Sequence, residues 1–118
     1  MGEAFANVAL AMYNAITPLE GINERETFTV EVEGNDYESL LFNFLAELLY
    51  RVDVDGLIAK SIKIEITPTG FKLGASCAGE RFSATTHEAG ASVKAVTYHM
   101  MRIEERNGVW TVRTVFDT

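Results

Sequence analysis

The apolar positions of this chain fall into two helical stripes followed by a series of alternating runs. Between Glu3 and Ile16 they lie at Ala4, Phe5, Val8, Ala9, Met12, Tyr13 and Ile16. That spacing describes one face of an α-helix. Thr17-Pro18 predicts its end, because proline pushes the preceding residue out of the helical region. From Thr27 to Glu33 the period drops to two, with Phe28, Val30 and Val32 on one side, which predicts a half-buried strand. Gly34-Asn35-Asp36 is a turn, and Asn35 with Glu38 three residues on predicts a capping box for a second helix. Tyr37, Leu40, Leu41, Phe44, Leu45, Leu48, Leu49 and Val52 then form the strongest stripe in the chain, closed by Asp53 to Gly56.

Beyond that point the period is two. Ile62, Ile64 and Ile66 alternate with Lys63 and Glu65. After the turn Pro68-Thr69-Gly70, Phe71, Leu73, Ala75 and Cys77 alternate with Lys72, Gly74 and Ser76, so the two runs read as a hairpin. Glu80 to Thr85 either extends the second strand or bends away at Gly79. Val93 to Glu104 predicts a long strand. Asn107-Gly108 is a strong hairpin signal, and Val109 to Asp117 is its return strand. The order is helix, strand, helix, then four or five strands. Two helices on one face of a largely antiparallel sheet would bury both stripes, which makes this an α+β sandwich.

Composition narrows the setting. At 118 residues, with no repeat or linker, the chain reads as one domain spanning 1–118. Its single cysteine, Cys77, allows no internal disulfide, and it reads as a small buried hydrophobe in a reducing, cytoplasmic compartment. No apolar run approaches the about 20 residues of a membrane span. The net charge of −7 repels phosphate backbones, so strong direct nucleic-acid binding is disfavoured. A basic partner or a divalent cation matches it better.

Candidate chemistry is sparse. The chain has no glycine-rich phosphate loop, no GxSxG, no HExxH and no CxxC. His87-Glu88 falls in a polar stretch of the kind that carries binding residues or simply a solvated turn. His99 sits among strand residues and reads as structural. Lys94 interrupts the apolar run that follows His87. It is either a snorkelling edge lysine or a cation held beside carboxylates or a phosphate. Asp117, next to Thr118 at the chain end, offers hard oxygens suited to Ca²⁺ or Mg²⁺, though one aspartate alone is no metal site. Trp110 alternates with Val112, Thr114 and Phe116 and reads as core or interface.

Three stretches, EAFANVALAMYNAIT, SLLFNFLAELLYR and VKAVTYHMM, together resemble the archease family, as does an aspartate closing the last strand in TVFDT. The resemblance covers essentially all 118 residues. It implies the archease, or SHS2-like, sandwich. It also implies an accessory role rather than an enzyme: archeases promote guanylylation and repeated turnover of the GTP-dependent tRNA-splicing RNA ligase. On this reading Lys94 is the functional cation and His87 a loop histidine of less defined role. Asp117 would hold a divalent metal (Ca²⁺, or Mg²⁺ or Mn²⁺), with Thr118 contributing a backbone oxygen. The partner would be the ligase, in tRNA splicing.

The resemblance also implies a strand with a DHTAD-like motif ahead of the first helix, which this sequence does not carry. The expectation is therefore an N-terminally truncated domain. One acidic metal ligand would then have no counterpart here, weakening the metal site, and a sheet edge would be exposed. The alternative expectation is a non-catalytic interaction module that oligomerises through that exposed edge.

Overall fold

A computed structural model describes residues 2–67, 69–82 and 95–117. Helix α1 spans Gly2–Ile16 and turns Phe5, Ala6, Ala9, Met12 and Tyr13 inward. It stops where proline demands: Thr17 donates its N–H to the Tyr13 carbonyl at 2.9 Å, and the chain leaves the helix at Pro18. A short 3₁₀ turn, Leu19–Gly21, leads to strand β1, Glu26–Glu33. Helix α2 covers Tyr37–Asp55 and buries Leu40, Leu41, Phe44, Leu45, Leu48 and Leu49.

The cap of α2 lies one residue later than the sequence pattern suggests. Asp36, not Asn35, is the N-cap. Its Oδ1 accepts the Ser39 N–H at 2.7 Å, and Ser39 Oγ accepts the Asp36 N–H at 3.1 Å. Serine completes the reciprocal box in place of Glu38. Gly34 helps to set this start, because a Cβ on it would stand 2.5 Å from the Leu40 nitrogen. At the other end Gly56 adopts φ 71°, the left-handed conformation that glycine enters without a Cβ penalty. Strand β2, Leu57–Thr67, starts at the very next residue.

Strand β3 runs Lys72–Arg81, passing Gly79 without a break, and is central in an antiparallel sheet of order β1-β3-β2. Phe28 and Ile62 flank Cys77, Val30 and Ile64 flank Ala75, and Val32 and Ile66 flank Leu73. These rows form the inner face. The intervening rows, Glu31–Gly74–Glu65 among them, form the polar outer face. Gly79 pairs with both Glu26 and Ala59, and the β2 register slips between Ala59 and Ser61. A Cβ at Gly79 would collide with the Ile58 carbonyl oxygen, so the strands approach there as only glycine permits.

Strands β4, Ala95–Arg106, and β5, Val109–Asp117, form a separate antiparallel ribbon among the described residues. Asn107 and Gly108 turn it at φ 53° and 79°, as the Asn-Gly signal predicts. The predicted sheet is thus divided into three strands and two. Helix α1 packs on β2 and β5, and α2 on β1 and β4. Ile103 and Val112, partners across the ribbon, pack against the common core. Among the described residues the largest fully buried side chains are Tyr13, Phe5, Phe44 and Met12, all from the two helices. No described helix is long and apolar enough to cross a membrane.

Candidate functional site

The two ends of the molecule differ in what the topology delivers to them. One end gathers the N-termini of both helices and two hairpin turns. The ring of Tyr37 meets those of Phe71 and Trp110 edge-on, at centroid distances of 5.2 and 5.8 Å. The opposite end gathers strand termini and the C-terminus of α2. There β1 begins, β2 begins, β3 ends, and the ribbon, which leaves its Asn107-Gly108 turn near α1's first residues, reaches its free end.

Asp117, the last residue of β5, is the register partner of Ala95, the first residue of β4. Partners in an antiparallel pair have Cα atoms about 4.5–5.5 Å apart. Lys94 adjoins Ala95 in sequence, so the strand that begins right after the candidate cation is paired with the strand that ends in the candidate carboxylate. Lys94, His87 and Thr118 themselves lie outside the described residues. Between Thr97 and Arg102 the ladder advances five residues on β4 against two on β5, from Val115 to Arg113. Such an irregularity bends the strand and raises its twist. It falls inside the VKAVTYHMM stretch.

The same end carries a polar group that periodicity did not single out. Glu80 is buried. Its Oε1 accepts the Asn23 N–H at 2.9 Å, and its Oε2 lies 3.4 Å from Nε of the exposed Arg25. Its neighbour Arg81 donates to the Asp55 carbonyl at 2.7 Å and pairs with Glu26 at 3.3 Å. The one available signal was an acidic residue breaking the alternation of β3 just after Gly79.

Among the described residues no three His, Cys, Asp or Glu side chains converge on a point where a metal could sit. Glu80 and Glu26 are both engaged by arginines. The described residues therefore provide no complete ligand set for a hard cation, which normally takes six or more oxygens.

Deeper in the core Cys77 of β3 lies close enough to Tyr13 of α1 to influence its ionisation. Burial pushes the Tyr13 hydroxyl well above its ordinary range, the Cys77 thiol adds to that rise, and Arg51 opposes it. Burial likewise pushes Cys77 up to about 11, with Arg51 opposing. The Tyr13 hydroxyl has no hydrogen-bond partner among the described residues. Cys77 is thus the inert, small hydrophobe that its place in the pattern suggests.

The comparison with known proteins agrees with the fold and the three stretches. The profile of the archease protein family (MTH1598/TM1083) matches residues 1–118. The chain belongs to the archease family. Protein archease of Pyrococcus abyssi is 44% identical over 118 residues, covering 98% of this chain and 83% of that protein. The archease-like protein of Drosophila melanogaster is 39% identical over 105 residues, covering 86% of this chain and 66% of its own length. The solution structure of Methanobacterium thermoautotrophicum protein 1598 superposes with a TM-score of 0.82 at 35% identity. It covers 99% of this chain and 84% of that one. The archease sandwich is therefore the fold of this chain, and its α1, α2 and β4 hold the described parts of the first, second and third stretch, all but Thr17.

Proposed function

We propose that this chain is an accessory protein, not itself an enzyme, of the GTP-dependent tRNA-splicing RNA ligase. It promotes the ligase's guanylylation and so its repeated turnover, in the cytoplasm. The observation that carries this reading is the match to the archease family over all 118 residues. The register of the ribbon adds support, since it brings Asp117 opposite the residue that follows Lys94. A carboxylate at the end of β5 and an ammonium one residue before β4 in sequence are candidates to act together on a phosphate-bearing partner site. Lys94 supplies a compact positive charge for a phosphate oxygen, and Asp117 one hard oxygen donor. His87 lies in the same stretch of chain and is a secondary candidate.

A divalent cation, Ca²⁺ or Mg²⁺ or Mn²⁺, belongs to this proposal with Asp117 and the Thr118 backbone as donors. When bound it would supply charge stabilisation to phosphates. The two residues fall short of a full set, so affinity rests on further donors. The acidic surface, at −7, suits docking beside a basic RNA-binding enzyme, where opposite charge speeds encounter.

The test is an assay of guanylylation and multiple-turnover RNA joining by the cognate ligase. Addition of this protein should stimulate both, and Lys94→Ala or Asp117→Ala should remove most of the stimulation. Absence of stimulation by the unaltered protein rejects the accessory role. Calorimetric titration with CaCl₂, repeated on Asp117→Ala, tests the metal separately.

A further inference from the structure

Strand β1 has a hydrogen-bonding partner on one side only among the described residues, because the sheet order is β1-β3-β2. The Gly34 N–H donates to the Phe71 carbonyl at 2.9 Å, and in an antiparallel ladder bonded positions recur every second residue. Val32, Val30 and Phe28 therefore exchange bonds with β3. Thr27, Thr29, Glu31 and Glu33 turn their N–H and C=O groups away from it. The Glu33 carbonyl confirms that direction, since Asn43 Nδ2 of α2 donates to it at 2.7 Å. That contact closes one end of the edge and leaves Thr27 to Glu31 as a strand-length template.

Beside this edge lies a groove of about 450 Å³ between β1 and α2, lined by Val32, Glu33, Asn43, Ala46, Glu47 and Tyr50. The α2 residues recur at helical spacing, so they form a shelf that runs along β1. Tyr50 is 58% exposed and Val54, one turn on, 61% exposed, two of the three large apolar side chains left in water among the described residues. The two sides of the edge thus differ in chemistry. The sheet's outer face offers Thr29, Glu31 and Glu33, all exposed, and the inner side offers Ala46 and Tyr50.

We infer that the β1 edge with the α2 shelf is a docking site for an extended segment of another protein, in which basic residues alternate with apolar ones. Such a segment adds as a fourth strand antiparallel or parallel to β1. Its main chain bonds to Thr27, Thr29 and Glu31. Successive side chains point to opposite faces, so every second one lies beside the glutamates and the rest reach the shelf. The charge of the edge selects lysine or arginine at the first set, and the shelf selects apolar residues at the second. A second copy of this chain is the poorer occupant. It would present its own acidic β1 and bring one net charge of −7 against another. This inference stands apart from the ligase role, because it uses none of His87, Lys94, Asp117 and Thr118.

The test measures fluorescence anisotropy of labelled peptides of alternating lysine and valine against the full chain. The controls are a glutamate–valine peptide and a lysine–valine peptide N-methylated at every second amide. The lysine–valine peptide should bind, and the N-methylated one should bind at least about tenfold more weakly because its main-chain donors are lost. Glu31→Lys, an exposed change that leaves the core untouched, should weaken binding by about tenfold, and Thr29→Pro should abolish it. Equal binding of the N-methylated peptide, or unchanged binding by Glu31→Lys, overturns the proposal. So does no binding at millimolar peptide, or sedimentation showing that a second copy already occupies β1.

Discussion

The two ends of this molecule are held by different forces. At one, glycine-dependent turns and the edge-on rings of Tyr37, Phe71 and Trp110 close the core. At the other, ion pairs and carbonyl contacts close it: Glu80 with Arg25 and Asn23, Arg81 with Glu26 and Asp55. Aromatic packing is insensitive to salt and pH. Charge pairs at strand ends are sensitive to both, and they leave polar groups in positions where a partner can reach them. The division places salt-insensitive packing at one end and charge-dependent contacts with the candidate chemistry at the other.

The largest test of that division is Gly79→Ala. A methyl group there meets the Ile58 backbone oxygen, which cannot rotate aside, so the β2–β3 pair must separate at the charged end. We expect a loss of about 3–4 kcal/mol, near the upper range for single substitutions, read as a fall in denaturation midpoint. A loss below about 1 kcal/mol would show that the strand ends yield easily and that the close approach is not required.

Next is the contrast within one ion pair. Glu80→Ala leaves the Asn23 N–H without its acceptor and should cost about 2–3 kcal/mol. Arg25→Ala removes a side chain that is 73% exposed and should cost under about 1 kcal/mol. Equal losses would mean that the surface charge, rather than the buried acceptor, holds this end.

The third concerns the core between the two ends. Cys77 rises from 9.0 to about 11 on folding, and Tyr13 is raised as well. The folded chain therefore keeps protons that the unfolded chain releases. This contribution is fully present below pH 9 and is lost as pH rises through about 11. Chemical denaturation between pH 8 and pH 11 should show a fall of about 2 kcal/mol from Cys77, with Tyr13 adding to it. Tyr13→Phe should reduce that fall and, by removing a hydroxyl with no partner, stabilise the neutral-pH protein by about 1 kcal/mol. A destabilised Tyr13→Phe would mean that the hydroxyl is satisfied.

Much of this architecture was legible in the chain. Both helices, the β2–β3 hairpin and the Asn107-Gly108 turn follow from periodicity and turn chemistry, because a strong apolar stripe leaves few alternatives. The capping box was displaced by one residue. Asn35 and Asp36 are both good caps, and only the reciprocal contact with Ser39 and the tight approach of Gly34 decide between them. The site was far less legible. Strict alternation assumes a regular ladder, and β4 breaks it between Thr97 and Arg102, so counting faces along VKAVTYHMM from either side gives a different answer. Glu80 was missed because its importance comes from Asn23 and Arg25, more than fifty residues away in sequence, and no local pattern encodes that meeting.

Gly56 joins these parts with no slack. Its amide caps α2 on the Val52 carbonyl, its own carbonyl accepts the Phe82 N–H at 2.7 Å, and β2 leaves from the next residue. One residue is thus the common anchor of a helix and two strands. In mechanical terms it is a rigid coupling rather than a hinge. A pull on β2 is transmitted to α2 within a single peptide unit, and an added residue at this point would displace both layers together. The Asn107-Gly108 turn has no such coupling, which makes it the place where inserted chain would leave the rest of the frame undisturbed.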